Sequence, residues 1–296
     1  MKRLATLVGC NYFNTPNELH GCINDVRAMR DALLSRFGFD PDHVEVLTDE
    51  PGSAVAPTGS NIMGALNRMV DRAEPGDVLF FHYSGHGTRV PTDHGLKHDE
   101  AIVPCDFNLI TDVDFRRLVN RLPEGASFTI ISDSCHSGGL IAKEKEQIGP
   151  STINPDTTSK NLHKQKFIPF DAIFHHLASL SDLESLNIKA HLLGNLGENE
   201  LGNLGSIRAD AGVLLSGCQA NETSADMNPS MGEGKAYGAF SNAVQMVLKE
   251  NKSTSLSNRE LVLLARKVLQ GQGIVQQHPC LYCSDENADA PFLCQS

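Results

Sequence analysis

Two short apolar runs constrain this chain more than anything else in it. Phe128-Thr129-Ile130-Ile131 is brief, uncharged and β-branched, which predicts a buried strand. It stops at Ser132-Asp133-Ser134-Cys135-His136-Ser137-Gly138-Gly139, a polar stretch closed by two glycines, as expected where a strand tip meets a loop. Asp77-Val78-Leu79-Phe80-Phe81 repeats the pattern and runs into His82-Tyr83-Ser84-Gly85-His86-Gly87-Thr88. In open α/β sheets the carboxyl ends of the strands are where ligands bind. If the two runs are parallel neighbours, the Cys135 thiol and the His86 imidazole meet at one sheet edge. That pairing activates sulfur for attack on a carbonyl. A phosphatase-type cysteine loop would carry Arg six positions on, where Ile141 stands.

The rest of the chain alternates strands and helices, which predicts a mostly parallel sheet flanked by helices. Leu4–Cys10 and Val44–Thr48 read as strands. Val26, Met29, Leu33 and Phe37 recur at helical spacing, with Asp25 at the start and Gly38 as a stop. Thr58 is placed to cap a helix carrying Ile62, Leu66, Met69 and Val70. Thr88–Glu100 reads as a polar loop, followed by a short strand over Ala101–Pro104. Lys143–Lys166 has no apolar face and reads as a mobile surface linker. A helix is expected within 171–193, a strand over Ala211–Gly217, and two further helices around Phe240 and Leu264. With 296 residues the chain has room for one large α/β domain.

Charge and cysteine usage narrow the setting. A formal charge of −11 argues against nucleic acid or an anionic membrane as partner. No run approaches the ~20 apolar residues of a membrane span. Lys2-Arg3 and the short apolar stretch after it lack a signal-peptide cleavage site, so the eight cysteines read as reduced thiols in the cytoplasm. One Cys-x-x-Cys, at Cys280 and Cys283, lacks the second pair that a zinc site needs.

Tyr83-Ser84-Gly85-His86-Gly87 and Asp133-Ser134-Cys135-His136-Ser137-Gly138-Gly139 resemble the metacaspases, the caspase-like proteases of plants, fungi and protists. The early start of the first strand and the long linker resemble the plant type II subgroup. The resemblance implies a caspase-like (caspase/hemoglobinase) α/β fold with a Cys135–His86 dyad. It implies cleavage after Arg or Lys, with Asp25, Ser84 and Asp133 forming the specificity pocket. A buried cation needs a paired carboxylate, and Asp133, two positions before Cys135, projects the same way on an extended strand. His136 points to the opposite face and makes a poor base.

The resemblance also implies a zymogen that cuts itself after Lys166. The expected parts are then a large-subunit region (1–142), a linker (143–209) and a small-subunit region (210–296) of one domain. Partners implied are protein substrates and a protein inhibitor, the chain being a monomer with a role in cell death, stress or protein processing. Many metacaspases bind calcium, and Asp93, Asp99 and Glu100 are the candidate ligands here. Yet His98 and Ala142 stand where relatives often carry acids, so no cofactor is expected to be required. Two rivals are a non-catalytic caspase-fold scaffold and another protease of the same clan, legumain-like or gingipain-like.

Overall fold

The computed structural model describes residues 1–91, 98–135, 140, 145–149, 163–180, 212–219, 222–229, 234–251 and 256–293. The strands are β1 (Arg3–Gly9), β2 (Val44–Thr48), β3 (Val78–Ser84), β4 (Gly87–Pro91), β5 (His98–Ile102), β6 (Ile110–Thr111), β7 (Ser127–Asp133), β8 (Glu146–Ile148), β9 (Lys164–Gln165), β10 (Gly212–Ser216), β11 (Ala225–Met227), β12 (Tyr237–Gly238) and β13 (Cys280–Tyr282). The helices are α1 (Cys22–Arg36), α2 (Gly59–Asp71), α3 (Asp112–Asn120), α4 (Phe170–Leu180), α5 (Ala239–Glu250), α6 (Asn258–Gly271) and α7 (Asp285–Asp289). The main sheet has the order β2-β1-β3-β7-β10-β13-β8. Its first five strands are mutually parallel, and β13 and β8 close the far edge antiparallel.

Every residue of β3 is buried, so both faces of the strand must be apolar. Its side chains divide between two layers by period-2 alternation. Leu79, Phe81 and Tyr83 join α2 and α3 in one cluster, whereas Val78 and Phe80 join α1, α5 and α6 in the other. Helix starts follow local chemistry. Thr58 accepts the Asn61 N–H at the head of α2, and Ser257 and Glu260 form a reciprocal capping box on α6. Gly38, at φ +66°, takes the left-handed conformation just past α1. No helix among the described residues is long and apolar enough to cross a membrane.

Register is what places the site. Ser84 at the end of β3 lies opposite Asp133 at the end of β7, and Gly9 lies opposite Ser84. The two runs therefore finish level with each other, and the loops carrying His86 and Cys135 leave from adjacent strand tips.

Two expectations need correction. Thr88–Glu100 is not simply a loop, because β4 and β5 pair antiparallel within it. Thr88 and Val90 are buried in turn, an alternation too short to stand out among polar neighbours. The segment from Lys143 is not all surface linker. Glu146–Ile148 forms the edge strand β8, with Ile148 in the core, and Lys166 is fully buried. The helix expected within 171–193 runs over α4, and its later part lies outside the described residues.

Phe80 lies 0 % exposed in β3, edge-on to Phe292 with ring centroids 6.3 Å apart. Phe80→Ala should lower the unfolding free energy by about 3–5 kcal/mol in a denaturant titration.

Candidate active site

The edge formed by β3 and β7 carries a pocket with a lysine in it. The Lys166 ammonium is 0 % exposed and lies 3.2 Å from Asp133 and 3.7 Å from Asp25. It donates to Ser84 Oγ at 2.9 Å, and Ser84 donates in turn to Asp25 Oδ2 at 2.7 Å. Asp25 comes from the first turn of α1, Ser84 from β3 and Asp133 from β7, so three separate elements build the pocket. A fourth closes it. The Gly238 N–H donates to both Asp25 oxygens at 2.9 Å, and the Ser241 N–H donates to Asp133 Oδ2 at 2.8 Å. A Cβ on Gly238 would collide with the Lys166 ammonium and with both carboxylates. Only glycine leaves room for the cation.

The charges explain each other. Burial pushes the Asp25 carboxyl up to about 8; Lys166 pulls it back and Asp133 adds to the push. For Lys166, burial works against the charge, but Asp133 foremost, with Asp25 and Asp226 behind it, holds the ammonium above its usual value. An isolated ammonium here would be expelled or neutralised. Two facing acids keep it.

The lysine's backbone is held as closely as its side chain. Its carbonyl oxygen accepts from Gly87 N at 3.0 Å and from Cys135 N at 3.2 Å, two converging donors of the kind that stabilise an oxyanion. Its own N–H donates to the Ser224 carbonyl at 2.9 Å. The residues before it, Gln165 and Lys164 in β9, pair antiparallel with Ala225 and Asp226 of β11. Cys135 Sγ is buried beside this backbone and accepts from Ser224 N at 3.1 Å. A Cβ on Gly87 would strike the Cys135 carbonyl, so glycine is required where the two loops touch.

His86 is fixed from several sides. Its ring lies 4.7 Å, centroid to centroid, from Tyr12, and its Nε2 sits 2.7 Å from the Asn17 carbonyl. That contact assigns the Nε2 proton and leaves Nδ1 for a second role. Tyr12 Oη accepts the His86 N–H, and Tyr83 Oη donates to the His86 carbonyl. Burial lowers the imidazole to about 4; the Asn17 and Lys166 carbonyls oppose the fall, and the Lys164 and Lys166 cations deepen it. His86 is 1 % exposed.

Asn17, Ser224 and Gly238 were not singled out from sequence. Two of them act through backbone atoms, which leave no signature in residue type, and the third acts by lacking a side chain. Of the proposed calcium ligands, Asp93 lies outside the described residues, as do His136 and Ala142. Asp99 and Glu100 are neighbours on β5, near Asp112. Burial raises Asp112 to about 7, Arg116 lowers it from an ion pair at 2.8 Å, and the two β5 acids raise it further. Among the described residues no group of three or more His, Cys, Asp or Glu could hold a metal.

Comparison with known proteins identifies the family. The caspase domain family model matches residues 2–290. Metacaspase-9 of Arabidopsis thaliana is 57 % identical, the alignment covering 99 % of this chain and 97 % of that protein. Metacaspase-6 of the same plant is 38 % identical over 99 % of this chain and 100 % of its own. A Geobacter sulfurreducens protein of known crystal structure shares the fold, with TM-score 0.66 and 20 % identity, over 99 % of this chain and 97 % of that one. The chain belongs to the caspase-domain family and is a caspase-like cysteine peptidase. Within that family it is a metacaspase of the plant kind.

Two measurements check the pocket and the ring. Gly238→Ala should unseat Lys166, so that an acylating reagent modifies it at least about tenfold faster than in the wild type, read by mass spectrometry. The His86 ring should stay neutral at pH 5 and above, with a nitrogen NMR titration midpoint near 4 against an ordinary 6.5. The unfolded chain then binds the proton that the folded one refuses, so this group makes stability rise with pH between about 4 and 6.5.

Proposed function

We propose that the chain is an endopeptidase that cleaves after Lys or Arg and cuts itself first, at the bond between Lys166 and Phe167. One observation carries this reading. Lys166 fills an acidic pocket while its carbonyl oxygen lies between the N–H groups of Gly87 and Cys135. A lysine on a mere structural strut needs the ion pair but not the two amide donors on its carbonyl.

The steps follow from this placement. Cys135 Sγ attacks the Lys166 carbonyl carbon as its proton passes to His86, neutral above about pH 4. Negative charge collects on the Lys166 oxygen, where Gly87 N and Cys135 N receive it. The bond to Phe167 N breaks as His86 returns the proton to that nitrogen. This leaves a thioester between Cys135 and Lys166. Water then attacks it, giving a free Lys166 carboxylate and regenerating the thiol. No step passes through calcium, and no cofactor is assigned.

The same seat explains a zymogen. While Lys166 occupies the pocket, no other basic residue can enter. After the cut, residues up to 166 and from 167 onward share the main sheet through the pairing of β7 with β10. They should therefore stay associated, as the proposed division at 1–142, 143–209 and 210–296 requires. Arginine fits the same reasoning, because paired carboxylates take a guanidinium as readily as an ammonium.

The experiment uses four fluorogenic peptides ending in Arg, Lys, Asn or Asp, with wild-type, Cys135→Ala and Lys166→Gln chains. Wild type should cut itself and hydrolyse the Arg and Lys peptides, preferring them over Asn and Asp by at least about a hundredfold. Cys135→Ala should do neither. Lys166→Gln should remain uncut at that bond. An intact bond in wild type, or an equal rate with Cys135→Ala, would favour the non-catalytic scaffold.

A further inference from the structure

The bond after Lys166 is held on both sides, and the leaving side has a recognition element of its own. Gly87 uses its N–H on the Lys166 carbonyl at 3.0 Å and its carbonyl on the Ile168 N–H at 3.2 Å. Phe167 thereby forms a parallel bridge with Gly87, while on its other side Gly87 pairs antiparallel with Ile102. The segment after the cut thus starts as an added strand on the edge of β4. Along it Phe167 is half-buried, Ile168 is 1 % exposed and Pro169 is exposed. Of these three residues, Ile168 alone goes fully inside. It belongs to the apolar cluster that includes Tyr12, Ile102, Val103, Phe107 and Ile110.

We propose that this is a substrate subsite, taking a branched aliphatic residue two positions after the cleaved bond. The inference rests on the proteolytic reading above and deepens it. The bland alternative is that Ile168 only anchors its own chain ahead of α4. Two features favour the subsite. First, the hold on Gly87 is made through backbone alone. Any peptide whose carbonyl occupies the two amide donors must run past the Gly87 carbonyl, and its second following residue then takes the position that Ile168 vacates once the new chain end at Phe167 swings away. Second, the cluster around Ile168 is built chiefly by β1, β3, β7, α2 and α3 and their loops; Ile173 and Leu177 are the additions from the segment itself. An aliphatic side chain gains by leaving water there, and a carboxylate would be stripped of its hydration with no cation supplied.

The test uses self-processed wild-type protein and internally quenched peptides. These are identical except for Ile, Val, Ser or Asp two positions after a single Lys, and a fluorogenic Lys amide with no residues beyond the cut serves as reference. The Ile and Val peptides should show kcat/KM at least about tenfold above the Ser and Asp peptides. Equal kcat/KM across the four, with the amide still cleaved, would overturn the subsite alone. Failure to cleave the amide and all four peptides would overturn the proteolytic reading and the subsite with it.

Discussion

One ammonium between two carboxylates organises the edge of the sheet where β3 and β7 end. Placing a charge out of water is costly unless opposite charge and hydrogen bonds meet it. Here Asp25, Ser84 and Asp133 meet it from a helix and two strands, and the backbone of β12 and α5 steadies both acids. Because these partners lie far apart in sequence, the pocket exists only when α1, the sheet and the C-terminal part of the chain are assembled together. Its occupant comes from the same chain, so assembly and occupation are coupled.

The sheet supplies precision. Level endings of β3 and β7 put Ser84 beside Asp133 and leave Gly87 and Cys135 close enough that neither a side chain nor a water separates their backbones. Tyr12 and Tyr83 then bracket the backbone of His86, and Asn17 takes one ring nitrogen. An imidazole so enclosed stays uncharged, since burial and two nearby lysines outweigh the carbonyls that would favour its cation. Protonation state is thus set by surroundings as much as by residue type.

Much of this arrangement was legible beforehand. The two strand-tip motifs located Cys135, His86, Ser84 and Asp133, since a buried parallel strand shows as an unbroken apolar run and its loop as glycine and polar residues. Helix α2 was readable down to its cap at Thr58. The segment at 146–148 was not, because an edge strand with one buried residue has too little periodicity to register. Strand β4 was missed because its buried Thr88 and Val90 alternate too briefly among polar neighbours, and β5 was read only from Ala101 onward. Lys166 stood out only through family resemblance, as the expected point of cleavage; composition suggested a solvated side chain, and the structure buries it.

The sequence by itself determined which groups are available: a thiol, an imidazole, three pocket side chains and a lysine, each next to a strand or helix whose hydrophobic pattern is plain. The pattern is local, so it can be read locally. Only the tertiary structure decided that the lysine from one segment would lie among side chains of three others, two of them acids, and that Gly87 would face both sides of one peptide bond. Those contacts are set by strand register and by backbone N–H and C=O groups. Every residue but proline carries both, so nothing in the order of side chains announces where they will converge.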